Sequence, residues 1–306
     1  DLRRLQRRSS MRKKCVILGC GYVGTAVARN WLADGHEVWG VSRNSDTLAQ
    51  IEHDSFYPVV ADVDTAEWHA QVPSSPAIVL NCVSTAGPGI EGYRKSYIGG
   101  NHSVLDWARA GNPERIVYTG STAVYPFTDG REVWEDDAGG EDLAESGKLV
   151  LESEKMLLQD PEIGDRCTVL RLAGIYGPSR HHLLDAVKRS NGVLPGRGDY
   201  FLNLIFLDDI VSAVDAVWHS PIAGGKAYNL ADETPPTKEE MVSWLAERIG
   251  CTAPKFDPEA MDGRRMRVNR AGGSPNRRVK IDRIKQDTGW SPKYRSFRDG
   301  FEKIGL

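Results

Sequence analysis

Three glycines, Gly19, Gly21 and Gly24, stand at G-x-G-x-x-G spacing between the apolar run Cys15-Val-Ile-Leu18 and a helical pattern that continues to Asp34. Each has a task if a diphosphate binds there. Gly19 allows a tight turn, Gly21 lets phosphate oxygens approach the backbone, and Gly24 lets helix and strand pack closely. Amides at the start of the helix, at Tyr22 and Val23, then point at the diphosphate from the positive end of the helix dipole. A second strand pattern, Glu37 to Val41, ends at Ser42-Arg43. Sites that prefer NAD(H) usually carry an acid there to accept from the ribose hydroxyls. Ser42 and Arg43 instead donate, which suits a 2′-phosphate and so NADP(H) over NAD(H); the plainer alternative is that Arg43 is a solvated loop cation. Asp62, after the third strand pattern, either accepts from the adenine amino group or caps a helix at 65–71.

Such residues need a sheet whose strand ends converge on them. Strand-like runs at 15–18, 37–41, 56–60, 77–82, 115–119 and 167–172 alternate with helical patterns at 22–34, 95–110 and 146–158. That alternation predicts an α/β fold, a Rossmann-type doubly wound parallel sheet. After Gly177-Pro178 the alternation weakens and glycines and prolines punctuate 192–198. Segment 208–219 opens with two aspartates and carries an apolar face, so a helix packed back on the sheet is expected. A further helix is expected from Thr237 to Ile249, with Thr237 and Glu240 at capping-box spacing. The expected organisation is a dinucleotide-binding domain at 11–176, to which 204–225 returns. A smaller interleaved substrate domain takes 177–203 and 226–306. Residues 1–10, rich in arginine, are expected to be a disordered extension, with Met11 as the natural start.

Composition sets outer bounds. The 306 residues are 40% hydrophobic and 26% charged, with a net charge of −3. The charges are mixed along the chain, so neither nucleic acid nor an anionic membrane surface is an evident partner. The five cysteines include no C-x-x-C pair, which fits a reducing, cytoplasmic setting rather than a disulfide framework. No apolar run approaches the roughly 20 residues of a membrane span. No metal is expected: His181 and His182 are adjacent loop residues without a spaced partner.

Beyond the glycines, ordered motifs run through the chain. They are Asn101, the block Arg115-Ile-Val-Tyr-Thr-Gly-Ser121-Thr-Ala-Val-Tyr125, and Val169 to Pro178 with its Arg171. Asn203 to Asp209, Tyr228 to Asp232, and Asn276-Arg-Arg-Val with Thr288-Gly-Trp-Ser-Pro follow. Together, over nearly all of residues 14–303, they resemble the extended short-chain dehydrogenase/reductases, which include nucleotide-sugar epimerases and dehydratases. The resemblance implies a Ser or Thr after the fifth strand that polarises a substrate carbonyl or hydroxyl, and a Tyr as acid or base. It also implies a Lys four residues after the Tyr that lowers the phenol pKa and holds the nicotinamide ribose. Ser121 matches the first, with a turn-capping hydroxyl as the alternative. Lys148, followed by Leu-Val-Leu-Glu152, matches the last, with a solvated helix lysine as the alternative. The tyrosine position is Ala144, and the chain therefore resembles the atypical subgroup that keeps the cofactor glycines without the full catalytic set. Tyr125 is a candidate substitute acid or base, or else an aromatic packed beneath the substrate loop.

Cys82, at the end of the fourth strand pattern, and Ile175, three residues beyond the sixth, join Gly19, Gly21, Tyr22, Val23, Gly24, Ser42, Arg43, Asp62 and Lys148 as expected cofactor residues. Arg180 and Arg277-Arg278 are candidates to hold a phosphate or carboxylate in the substrate cleft, or else surface ion pairs. Many relatives that bind nucleotide sugars carry Asn three residues after the Arg of the sixth strand; here that place is Gly174, so a polar contact is missing. The expected function is an NADP(H)-dependent oxidoreductase or epimerase/dehydratase-like enzyme acting on a small polar, sugar-derived molecule. Homodimers through helices flanking the sheet are common among such proteins. Two rival readings are a catalytically silent NADP(H)-binding regulator of a protein partner, suggested by Ala144, and non-redox lyase or isomerase chemistry.

Overall fold

A computed structural model describes residues 11–85, 87–260 and 275–306; residues 1–10, expected to form a disordered extension, lie outside the described residues. Seven strands form one parallel sheet in the order β11-β7-β5-β4-β1-β2-β3. They are β1 (Lys14–Leu18), β2 (Glu37–Ser42), β3 (Phe56–Val60), β4 (Ile78–Asn81), β5 (Ile116–Ser121), β7 (Cys167–Leu172) and β11 (Lys226–Leu230). The first six are the predicted strands. Their continuous apolar runs are what a sheet buried on both faces demands. In β1, Cys15 and Ile17 join the core on one face while Val16 and Leu18 join the core on the other.

Helix α1 (Tyr22–Ala33) covers the first face with α7 (Leu207–His219). Val27 and Trp31 meet the same core as Ile210, Val214 and Val217, and Asp215 of α7 accepts from Asn30 Nδ2 at 2.8 Å and Trp31 Nε1 at 2.9 Å. The predicted return of 208–219 to the sheet is thus made by an apolar stripe and a half-buried carboxylate. The short α2 (Ser45–Ala49) follows β2. On the opposite face the predicted helix 95–110 is longer and irregular: α3 (Gly89–Tyr93), a π-helical stretch Arg94–Gly99, and α4 (Gly100–Ala110). Beside it lies α5 (Glu145–Leu158). Asn101, fully buried, accepts from Asn81 Nδ2 at 2.9 Å and donates to Ser153 O at 3.0 Å, tying α4 to β4 and α5.

One boundary differs from the sequence reading. Lys226–Leu230, assigned by sequence to the smaller part, extends the central sheet as β11, in register with β7 from Lys226↔Thr168 to Leu230↔Leu172. With α7 before it, β11 completes one more β-α-β crossover, and Tyr228 and Leu230 are fully buried in the core.

The smaller part comprises α6 (His182–Arg189), α8 (Lys238–Arg248), α9 (Asp282–Thr288) and α10 (Phe297–Lys303) with three short parallel strand pairs. The pairs are β8 (Gly174–Tyr176) with β10 (Leu204–Phe206), β9 (Val193–Pro195) with β12 (Lys255–Asp257), and β6 (Arg131–Val133) with β13 (Arg277–Val279). Tyr176, Leu184, Phe206, Met241, Leu245, Phe297 and Phe301 form its core. Thr237 caps α8 through Glu240 N, but Glu240 turns its carboxylate to Arg298 at 2.7 Å, so only half of the predicted capping box forms.

Candidate functional site

The strand order reverses at β1: the chain runs outward through β2 and β3 on one side, then through β4, β5, β7 and β11 on the other. Such a switch point leaves a crevice at the carboxyl ends of the strands. Here it is a cavity of about 620 Å³, lined by Gly19–Val23, Val41–Asn44, Ala61–Val63, Cys82–Ser84, Thr119–Ser121 and Leu172–Ile175, with Thr47, Tyr97 and Arg180. That volume suits a dinucleotide-sized ligand.

The glycine loop has the geometry its spacing predicted. Gly19 takes φ +96, and a Cβ there would lie 2.9 Å from the Val83 backbone. A Cβ on Gly24 would lie 2.1 Å from Gly19 O, so α1 crosses the loop at a distance only glycine permits. Around Gly21 nothing stands within 4 Å, which leaves its face open to the cleft. Cys82 Sγ donates to Gly19 O at 3.1 Å, and burial pushes its thiol pKa well up, keeping it a protonated donor.

At the far end, Ser42 Oγ accepts from Asn44 N at 3.1 Å, and Asn44 caps α2. Arg43 is half exposed, with Nη1 4.0 Å from Asp62 Oδ2. Lys95 Nζ bridges Asp62 at 2.9 Å and Asp64 at 3.8 Å. Burial raises the Asp62 carboxyl, but hydrogen bonding with Lys95 and Asp64 outweighs it and holds Asp62 below its ordinary range. Asp64 is pushed up by burial and by the Asp62 charge. Of the two readings of Asp62, capping is not what the side chain does: Thr65 bonds to the Asp62 backbone oxygen, and only a 3-10 turn, His69–Gln71, forms in 65–71.

The expected catalytic residues do not converge. Ser121 lines the cleft at the end of β5, and its Oγ also accepts from Ala123 N at 3.1 Å, capping the turn Thr122–Val124. Tyr125 is corrected: its side chain is sealed in the core, where the hydroxyl donates to Asn229 Oδ1 at 2.5 Å and accepts from Arg171 Nη1 at 3.0 Å. Burial pushes that phenol up to about 12 against the opposing Arg171 charge. Arg171 in turn is held by Glu154 at 3.0 Å and by Glu135 O at 2.7 Å, so Tyr125 belongs to a buried ionic network.

Lys148 is corrected too, both as a catalytic and as a cofactor residue. It is exposed on the outer face of α5, in a depression lined with His102, Arg109, Leu151 and Glu152, and α5 contributes no residue to the cleft lining. Gly147, Val150, Glu154 and Leu157 form the buried stripe that sets the rotation of α5, and Lys148 is about 100° round the helix from Gly147. Ala144 is the exposed cap residue of the same helix.

Two residues were missed or underrated. Tyr97 lies on the π-helical stretch and lines the cleft; burial, with Tyr93 beside it, pushes its phenol up to about 12. Its spacing of four from Asn101 was the available signal. Arg277 is buried, donates from Nη2 to Thr122 O at 2.8 Å, and has no carboxylate within ion-pair distance among the described residues; its Nε has no partner. Burial lowers it to about 10. His182, expected in a loop, is the first residue of α6, and His181 stands just before it with its Nδ1 3.1 Å from Asp185 Oδ1. Among the described residues no cluster of His, Cys, Asp and Glu is placed to hold a metal ion, and no helix is long and apolar enough to cross a membrane.

The model of the NAD dependent epimerase/dehydratase family matches residues 15–231. Protein YeeZ of Escherichia coli K12 is 26% identical over 261 residues, which span 80% of this chain and 86% of that protein. Among solved structures, an epimerase from Methanothermobacter thermautotrophicus superposes with a TM-score of 0.80 at 20% identity, over 98% of this chain and 93% of its own. A dTDP-glucose 4,6-dehydratase from Bacillus anthracis, solved with NAD, superposes at 0.75 with 17% identity, over 96% and 95%.

Proposed function

The chain belongs to the NAD dependent epimerase/dehydratase family, and from that premise we propose that its cleft binds NADP(H) and serves an oxidoreductase or epimerase/dehydratase-type reaction on a small polar, sugar-derived substrate. The observation that carries the proposal is the cleft itself: a glycine loop open at Gly21, with Ser42 and Arg43 at the opposite end and no acid at the end of β2. When bound, the nicotinamide supplies a hydride acceptor or donor. The protein's own residues do the rest. Amides of the glycine loop and of α1 take the diphosphate, and Arg43 with Ser42 takes the 2′-phosphate. Asp62, kept ionised beside Lys95, orders that end of the cleft. Ser121 can hydrogen-bond a substrate carbonyl or hydroxyl beside the strand ends. The Tyr97 phenol stays protonated at neutral pH and therefore donates a hydrogen bond rather than serving as a base. The uncompensated Arg277 next to Thr122 supports a substrate bearing a phosphate or carboxylate. A homodimer through the outer faces of α4 and α5 goes with this reading.

The test is a titration with NADPH and NADH. Arg43 is half exposed, so its bond to a phosphate is worth the lower end of the charged range, about 1.5 kcal/mol, or roughly tenfold in Kd. Arg43→Ala should cost that for NADPH and leave NADH within about twofold. Failure of wild type to bind either nucleotide at micromolar concentration defeats the proposal.

A second reading, a nucleotide-binding regulator without turnover, has its own support: Lys148 faces outward and Tyr125 is locked in a network. Counted from the buried Glu154 rather than the exposed Glu152, the family positions of tyrosine and lysine fall on Ser146 and Val150, which also lack the pair. Turnover that Ser121→Ala abolishes eliminates the regulator; nucleotide binding without turnover across a sugar and sugar-nucleotide panel favours it.

A further inference from the structure

Arg180 borders the cleft but belongs to the segment that leaves the sheet after β8. Gly177 and Arg180 exchange backbone hydrogen bonds, each 3.0 Å, which close Pro178-Ser179 into a two-residue turn with Ser179 at φ +61. The turn is seated on α1: the Tyr22 hydroxyl donates to Pro178 O at 2.9 Å, and a Cβ on Gly177 would come 2.8 Å from that hydroxyl. From this fixed base the Arg180 guanidinium lies over the Tyr22 ring, 5.3 Å from its centroid. Stacking fixes the plane of the fork.

Among the described residues nothing answers that fork. Arg180 Nε is buried without a hydrogen-bond partner, and among the described residues no carboxylate lies within ion-pair distance of the guanidinium. A desolvated donor left unpaired opposes folding, and a charged one more so; such groups persist where a ligand completes them. Tyr22 is the first residue of α1, and the amides there point at the place of a diphosphate. We infer that Arg180 is a clamp: it reaches over Tyr22 from the other side of the cleft and holds the diphosphate of the dinucleotide against the amides of α1. Binding then ties the turn 177–180 to the glycine loop, joining the segment that shapes the substrate side to the cofactor. This rests on the cleft being a dinucleotide site.

Three cofactor probes separate the possibilities: NADPH, ADP-ribose, which keeps the diphosphate, and adenosine 2′,5′-bisphosphate, which lacks it; UDP, titrated alongside them, stands in for a substrate anion. Arg180→Gln keeps the length and removes the charge. It should weaken NADPH and ADP-ribose by about tenfold or more, while adenosine 2′,5′-bisphosphate stays within about twofold. The salt dependence of ADP-ribose binding should become shallower, and the melting temperature without ligand should not fall, since no ion pair is lost. Tyr22→Phe, which frees the turn from α1 but keeps the guanidinium, should weaken ADP-ribose by a few-fold and serves if Arg180→Gln folds poorly. Unchanged ADP-ribose binding in Arg180→Gln overturns the clamp while leaving the dinucleotide site standing. So does a variant that weakens only UDP, which would assign the fork to a substrate anion. Equal loss of all three probes with a lowered melting temperature makes Arg180 a structural residue. Wild type that binds none of the three removes the dinucleotide reading and the clamp together.

Discussion

Two glycines within six residues of the end of β1 should respond to the same substitution in opposite ways. Alanine at position 24 would put a carbon 2.1 Å from Gly19 O, whereas carbon and oxygen normally approach no closer than about 3.3 Å. Relief requires α1 and the loop to part by about 1 Å, and neither can yield alone. The loop is held by Gly19 N to Val41 O at 2.9 Å and by Cys82 Sγ on Gly19 O, and α1 is packed through Val27 and Trp31. Overpacking of this kind costs about 1–3 kcal/mol, which in a protein of this size lowers the melting temperature by roughly 1.5–5 °C. The same displacement moves the α1 amides off the diphosphate, so Gly24→Ala should lose NADP(H) affinity as well. Alanine at position 21 meets nothing within 4 Å, and the backbone there, at φ −87, accepts a side chain. Gly21→Ala should therefore melt as wild type does yet bind the nucleotide at least about tenfold more weakly, because its methyl occupies the space of phosphate oxygens. The assay pairs differential scanning fluorimetry without ligand with tryptophan-quenching titrations. Wild-type affinity in Gly21→Ala would refute the placement of the diphosphate; wild-type melting in Gly24→Ala would refute the close crossing.

Three further outcomes follow from the geometry. Lys148→Ala should leave the Kd for NADPH within about twofold, because the side chain lies outside the cleft, and a tenfold loss would mean that α5 is turned otherwise in solution. Arg171→Ala should destabilise by about 3–5 kcal/mol in a denaturation titration, since it abandons Glu154, 1% exposed, without a counter-charge; the double variant with Glu154→Leu should recover part of the loss. Asp209 has its carboxyl raised to about 6, chiefly by burial. With a folded pKa above the unfolded one, the folded state holds the proton more tightly, so this group's contribution to stability falls as pH rises from about 4 to about 6. Asp209→Asn should flatten that part of the stability profile, and an unchanged slope would assign it elsewhere.

How much of this was legible beforehand depended on whether local pattern or tertiary packing decides. The six strands were legible because a sheet covered on both faces leaves uninterrupted apolar runs such as Cys15–Leu18. The glycine loop was legible because its constraints are local. The strand β11 was not: Lys-Ala-Tyr-Asn-Leu is short and half polar, and its Asn229 is buried only because Tyr125, Glu135 and Lys280 O satisfy it from distant segments. The rotation of α5 escaped for a related reason. Counting from Lys148 to Glu152 and counting from Val150 to Glu154 give the same spacing, and only the salt bridge to Arg171 tells the two glutamates apart. Tyr125 was read as a candidate acid because strand-end position was visible and its burial was not. The π-helical turn that brings Tyr97 to the cleft leaves no mark in residue type.

The pairing of β6 with β13 bears on how the chain is made. Arg278 Nε bonds to Gly130 O across 148 residues of sequence, and Arg277, Arg278 and Val279 lie beside Arg131, Glu132 and Val133 in parallel. A nascent chain emerging from the ribosome can wind most of the sheet as its crossovers appear, but β6 has no strand beside it until Arg277–Val279 has been synthesised. Contacts of such separation close slowly, and an unpaired edge is open to the wrong neighbour meanwhile. The residues from Arg277 onward thus act as a late-arriving clasp. A ribosome stalled shortly before them should hold a protein with a nearly complete cofactor cleft and an unguarded edge strand beside it.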